Sequence, residues 1–278
     1  MKLDITKIYI DSRFKTANSK SETDFNVELP RSFNIPDGVT AHIDDIVIPV
    51  SWRTVDDRNN IVYVEFFILT TRVIKAFTLD SKNYDGFTFA AALQQKLTAE
   101  VVGFEHNGIP VVPVFSCAYE LLENILTITV TEDPTAMITG FKFEFLNDTK
   151  LRTTYTQTAP NSINTIIRNT TETFISAGQP YKCFLDLVQT RNLYLTSSAL
   201  CSYDTVSNFG MDTIIKKIPC TAAYGKMIFQ SSGSTLDGLD VSKRSLRFLD
   251  FKLVDSSFRP VDLQNNHFSF SIVFVQRN

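Results

Sequence analysis

Glycine is scarce in this chain, at 10 of 278 residues. No Gly-rich phosphate loop, dinucleotide fingerprint, G-x-S-x-G elbow or HExxH pair occurs, which removes the common signatures of nucleotide enzymes, serine hydrolases and zinc proteases. Histidine is scarcer still. His42, His106 and His267 are the whole set, and they stand far apart in sequence. The four cysteines, Cys117, Cys183, Cys201 and Cys220, form no CxxC pair and no His/Cys cluster with zinc spacing. They read as reduced, buried small hydrophobes. A Cys183–His267 thiol–imidazole pair has no local support. The expectation is therefore a non-enzyme with no catalytic residues, no cofactor and no metal.

Two further absences concern partners. Formal net charge is −3 with both signs interspersed, so no basic stripe marks a nucleic-acid footprint, and direct nucleic-acid binding is not expected. No long apolar block exists. The most apolar run, "IVYVEFFIL", carries Glu65 and is far too short to span a bilayer, so membrane insertion is not expected. The start, "MKLDITKIYIDSR", is interrupted early by acids and reads as no signal peptide. Disulfides are then not expected, and the sequons at Asn147 and Asn169 read as chance matches.

What is present is phenylalanine, at 23 residues, with many Thr, Val and Ile, a composition that favours strands. Period-two alternation recurs along nearly the whole chain. "DFNVELP" puts Phe25, Val27 and Leu29 on one face and Asn26 and Glu28 on the other. Residues 31–38, with Pro-Asp-Gly, read as a turn. "GFKFEFL" alternates Phe141, Phe143 and Phe145 with Lys142 and Glu144, and the closing strand gathers Phe268, Phe270, Ile272 and Phe274 on one face. One segment departs from the pattern. Phe89, Leu93, Leu97 and Val101 recur every fourth residue, predicting a helix over 88–101 with Asp85 or Thr88 as its cap. Residues 147–180, rich in Thr, Asn and Ser, read as a surface excursion or a return segment between domains. Strands spaced by ten to fifteen residues around one helix predict a sandwich or jelly roll, since helices do not alternate with strands.

Two stretches invite chemistry. "TAHIDDIVIPVSW" (40–52) places His42, Asp44 and Asp45 in an apolar run. A metal or acid–base site would need a second ligand cluster, and none has recognisable spacing. Strict alternation would bury Asp45 beside Ile43. A β-bulge at Asp44–Asp45 removes that conflict and returns Val47 to the apolar face. The alternative is an arginine from another strand or subunit meeting one acid. "RSLRFLDFKL" (244–253) alternates Arg244, Arg247 and Lys252 with apolar residues. Single-stranded nucleic acid would stack on exposed aromatics in a basic groove. Here the apolar residues lie at strand period and Asp250 breaks the basic run, so Arg244 and Arg247 read as structural or interface charges. Asp44, Asp45, Arg244 and Arg247 are thus the candidate interface or structural residues.

With the strands laid out, "IYIDSRFKT", "DFNVELPRSFNIPDGVTAHIDDIVIPVSW", "NYDGFTFAAALQQKL", "LYLTSSAL", "TIIKKIPCTAAYGKMIF" and "LRFLDFKLVDSSFRPVDLQNNHFSFSIVF" follow one another in order. The set resembles the penton (minor capsid) proteins of virophages and of Polinton/Maverick-like elements, those of the mavirus type in particular. The likeness runs from about residue 7 to 276 and is weakest across 102–180. It implies an all-β chain with a single jelly-roll sandwich and a small α+β insertion holding one helix. The candidate insertion is 71–150, with the jelly roll built from 1–70 and 151–278. The resemblance further implies a homopentamer at the five-fold vertices of an icosahedral virion, contacting double jelly-roll major capsid trimers. Assembly would take place in the host cytoplasm. A host receptor stays open as a further partner, and a jelly-roll receptor- or glycan-binding module is the alternative function.

Overall fold

A computed structural model of the chain describes residues 6–132, 140–155, 161–168, 174–202, 206–207, 210–231 and 238–276. The chain divides into two compact units, one built from residues 1–52 and 190–278 and the other from 53–189. It opens with β1 (Thr6–Asp11), β2 (Asp24–Asn34) and β3 (Val39–Pro49) in the first unit. The second unit follows with β4 (Ile61–Ile68), β5 (Thr71–Thr78), α1 (Gly86–Glu100), β6 (Glu105–His106), β7 (Ile109–Pro110), β8 (Pro113–Glu120) and β9 (Ile125–Glu132). It continues through β10 (Phe141–Phe145), α2 (Asp148–Tyr155), α3 (Asn164–Ile167), β11 (Ile175–Ser176) and β12 (Tyr181–Phe184). The chain then returns to the first unit with β13 (Asn192–Thr196), β14 (Ile214–Pro219), β15 (Met227–Ser231), β16 (Leu239–Asp240), β17 (Ser245–Val254) and β18 (Ser269–Gln276).

The first unit is a two-sheet sandwich. One sheet has the order β1-β18-β3-β15, with β16 extending the pairing of β3, and the other has the order β14-β13-β17-β2. All its pairs are antiparallel. Set β16 aside and number this unit's remaining strands along the chain. The sheets then read first-eighth-third-sixth and fifth-fourth-seventh-second, the double Greek key of a jelly roll. The second unit is inserted between the third and fourth of these strands. Alternation decides what the sandwich buries. Phe25 of β2 meets Phe251 of β17 at 5.7 Å and Phe268 at 5.6 Å, and Phe251 meets Phe270 of β18 edge-on at 4.9 Å. Such pairs add to the burial of each ring, itself worth about 1.5–3 kcal/mol. Phe268, Phe270, Ile272 and Phe274 are all buried, as the closing strand's period predicts.

The second unit has a β11-β10-β4-β5 sheet, a β12-β9-β8 sheet and a small β6-β7 hairpin. Phe66 of β4, Phe115 of β8 and Phe141 and Phe143 of β10 share one core. Helix α1 is capped as predicted: the Asp85 side chain accepts from the Thr88 backbone, and the Thr88 hydroxyl answers the Asp85 N–H. Phe89, Leu93, Leu97 and Val101 are buried. Gly86, the first helical residue, has a specific cause. A Cβ there would come within 2.3 Å of the Tyr119 ring, and that ring is held by its hydroxyl's hydrogen bond to Asn124 Oδ1 at 2.8 Å. Gly86→Ala is expected to cost about 1–3 kcal/mol through overpacking, despite alanine's better helix propensity. A thermal midpoint equal to wild type would show that Tyr119 moves aside freely.

Four expectations are corrected. The domain edges lie at 52/53 and 189/190, whereas an edge at 70/71 would cut the β4–β5 hairpin and one at 150/151 would cut α2. An alternating strand looks alike in either unit, so only the pairing of β4 with β5 and β10 decides its membership. The insertion holds α2 and α3 besides α1. Within 147–180, Leu151, Ile163, Ile166, Ile167 and Ile175 are buried, so the described part of that stretch is anchored by interior side chains while residues such as Asp148, Arg152 and Arg168 stay at the surface. Finally, β2 continues through 31–34. Its register to β17 jumps from Glu28↔Phe248 to Phe33↔Leu246, so an irregularity around Pro30, which has no N–H to pair, is absorbed inside the strand.

Candidate functional site

Residues 40–49 of this segment lie in strand β3, in the middle of the first sheet. Its register to β18 runs Ile43↔Ile272 and then Ile46↔Phe270, so Asp44 and Asp45 together oppose the single residue Ser271. This is the predicted bulge. Before it, odd residues face the core: Val39, Ala41 and Ile43. After it, even residues do: Ile46 and Ile48. Val47 is therefore not returned to the apolar face as expected; it stays half-buried on the outer side. Both acids turn outward. Asp45 accepts a hydrogen bond from the Ser271 hydroxyl. Asp44 meets Lys7 of β1 at 3.1 Å, with both side chains more than 40% exposed. That hydrogen bond raises the pKa of the Lys7 ammonium. Asp44's partner is thus a lysine of its own chain, where the sequence had suggested an arginine.

Arg244 and Arg247 separate in role. Arg244 donates from Nη1 to the Ala199 carbonyl at 2.9 Å and from Nη2 to the Cys201 carbonyl at 2.8 Å, tying the 199–201 turn to the start of β17. Arg247 pairs with Glu28 of β2 at 2.9 Å and lies 5.8 Å from the Phe248 ring centre. Phe248 is 62% exposed on the outer face of the second sheet. The first sheet's outer face carries a block of four apolar side chains. Phe229 stands directly across from Val47 and Met227 across from Pro49. Phe229 is 71% exposed.

The ligand-type residues do not converge. Among the described residues no group of three or more His, Cys, Asp or Glu side chains could hold a metal ion. His42 lies in β3 opposite Val273, His106 in β6, and His267 has Nδ1 2.9 Å from Glu22 Oε2. The cysteines are free thiols. Burial pushes Cys117 and Cys183 up to about 12 and Cys220 up to about 11, which suppresses the thiolate a nucleophile would need.

One polar cluster was missed. Glu65 and Glu144, cross-strand partners in β4 and β10, are both fully buried. Lys150 of α2 contacts Glu144 Oε1 and lies 3.7 Å from Glu65 Oε2. Alternation set Glu144 on the face opposite Phe141, Phe143 and Phe145, and Lys150 of α2 reaches it there together with Glu65. An acid inside the apolar runs "IVYVEFFIL" and "GFKFEFL" was the available signal.

No family model matches this sequence, and no curated protein does. Among solved structures, the fold is similar to the crystal structure of a SeMet-labelled mavirus penton protein. The TM-score is 0.54 with 14% sequence identity, and the match covers 100% of each chain. At that identity the likeness is one of fold: a β-rich, penton-like architecture with a jelly roll.

Proposed function

We propose that this chain is a structural capsid protein, the penton subunit of an icosahedral virion, and not an enzyme. One observation carries the reading. The chain, a jelly roll interrupted between its third and fourth strands by the second unit, has a fold similar to that of the mavirus penton protein, at a TM-score of 0.54 over the full length of both chains. In this reading five copies form a ring at each five-fold vertex, assembled in the host cytoplasm and surrounded by double jelly-roll major capsid trimers.

A closed ring uses two different surfaces of one subunit. The apolar block around Phe229 and the Phe248–Arg247 surface lie on the outer faces of the two different sheets, and we assign them as the two sides of the subunit contact. Asp44 and Arg247 are interface residues in this assignment, while Asp45 and Arg244 serve the fold. Light scattering on the purified chain tests the ring, and density at the five-fold position of the particle tests its place. Phe229→Asp is expected to reduce a wild-type pentamer to monomer, as is Phe248→Asp. Mixing the two variants is expected to restore one junction and give a one-to-one dimer. A wild-type chain that stays monomeric at assembly concentrations overturns the ring. Variants that still form pentamers overturn only the choice of faces.

A further inference from the structure

We propose that Lys150 and Glu144 condense into an intramolecular isopeptide bond, with Glu65 as the proton carrier. The three side chains come from α2, β10 and β4 and meet within the second unit. Lys150 Nζ is in direct contact with Glu144 Oε1, and Glu65 Oε2 lies 3.7 Å away. Both carboxylate side chains are 0% exposed and the lysine side chain is 11% exposed. Among the described residues neither oxygen of Glu65 accepts a hydrogen bond. Among the described residues its other cationic neighbour is Arg72, with Nη1 3.8 Å from Oε1. The Phe174 ring lies 5.1 Å from Nζ and closes that side with an apolar surface.

This arrangement is a costly way to hold charges. Glu65 and Glu144 face each other directly across two antiparallel strands, where like charges repel. An ammonium and a carboxylate taken out of water each carry a large desolvation cost, which their attraction only partly offsets. Once Glu65 has taken its proton, the Lys150 amine is a nucleophile already held against the carboxyl it would attack, so no translational entropy is lost on the way. Condensation removes two buried charges and leaves Glu65 with Arg72 as its counter-charge.

The step balances without any added reagent. The Glu65 carboxylate takes one proton from the Lys150 ammonium. Nζ forms a bond to Cδ of Glu144, and one Cδ–O bond of that carboxylate breaks. The departing oxygen leaves as water, carrying the proton that Glu65 returns and a second proton from Nζ. One ammonium and one carboxylate enter; one secondary amide and one water leave; Glu65 ends as it began. The bond would lock α2 onto β10.

A tryptic digest of the full, denatured chain decides the matter. Trypsin cleaves after Lys142, and after Lys150 only when that amine is free. A linked chain yields residues 143–152 as one peptide, lighter than its sequence by one water, with fragmentation placing the loss between Glu144 and Lys150. Recovery of the 143–150 peptide at its full sequence mass, with no 143–152 product, overturns the proposal. Glu65→Gln keeps the shape but removes the proton carrier, so its digest is expected to return the unlinked 143–150 peptide. Linkage in that variant at the wild-type extent removes Glu65 from the mechanism. Should Glu65→Gln fail to fold, the wild-type digest is decisive alone.

Discussion

Phe270→Ala is expected to destabilise the jelly-roll unit by about 3–5 kcal/mol, the cost of losing a buried ring and leaving a cavity. Phe270 is 3% exposed. Its ring stacks on Phe268 at 5.9 Å and meets Phe251 of the opposite sheet edge-on at 4.9 Å, so it links both layers of the sandwich. Its backbone partner is Ile46, the first core residue after the bulge, where β3 has just changed which parity faces inward. Rigid strands on both sides limit how far the site can collapse, which places the cost in the upper part of the range for large-to-small changes. Trp52, the chain's single tryptophan, packs against this same core, so its fluorescence in a urea titration reports the relevant transition. Phe270→Leu, which keeps most of the volume, is expected to lose less than half as much. A midpoint for Phe270→Ala within error of wild type would mean that the ring does not bridge the two sheets.

Lys150→Met is expected to cost the inserted unit about 3–5 kcal/mol, the range for breaking a buried pair by removing one partner. Methionine keeps the length and the packing of the aliphatic stem. What it removes is the group that neutralises two carboxylates with no exposure, as an ammonium in the unlinked chain or as the amide to Glu144 in the linked one. Arg72 does not substitute for it, because its side chain is 66% exposed and reaches only Glu65. The companion variant carries Lys150→Met with Glu65→Gln and Glu144→Gln. It removes the charges from the whole cluster and is expected to recover most of the loss, since replacing all the partners of a buried ionic group is often neutral. Hydrogen exchange of the β4 and β10 amides gives a local reading of that unit. Unchanged protection in Lys150→Met would show that the carboxylates find another partner.

The alternation of β1, β2, β3, β17 and β18 was legible because a strand with one buried face writes its period into the sequence. Helix α1 and its Asp85 cap were legible because both signals are local. The bulge was legible because Asp45 could not share a face with Ile43 at that cost; its consequence for Val47 also follows from it, because one extra residue inverts the inward parity and leaves Ile46 and Ile48, not Val47, on the core face. Arg244 and Arg247 read alike from the sequence, as structural or interface charges, and only the fold shows that Arg244 spends its donors on two carbonyls far along the chain.

By itself, then, the sequence determined the class of the protein: strand-rich, with one well-capped helix and a bulged central strand. Each follows from interactions between near neighbours or from a period that one buried face imposes. The tertiary structure alone decided where the two units divide, that Lys150 of α2 reaches the second face of the β10-β4 pair, and that Glu65, Glu144 and Lys150 meet there. Those outcomes depend on which distant strand pairs with which, and on what covers a sheet's other face. An alternating strand carries the same pattern whichever partner it takes, and an acid in it looks solvated until a helix from elsewhere lies across it.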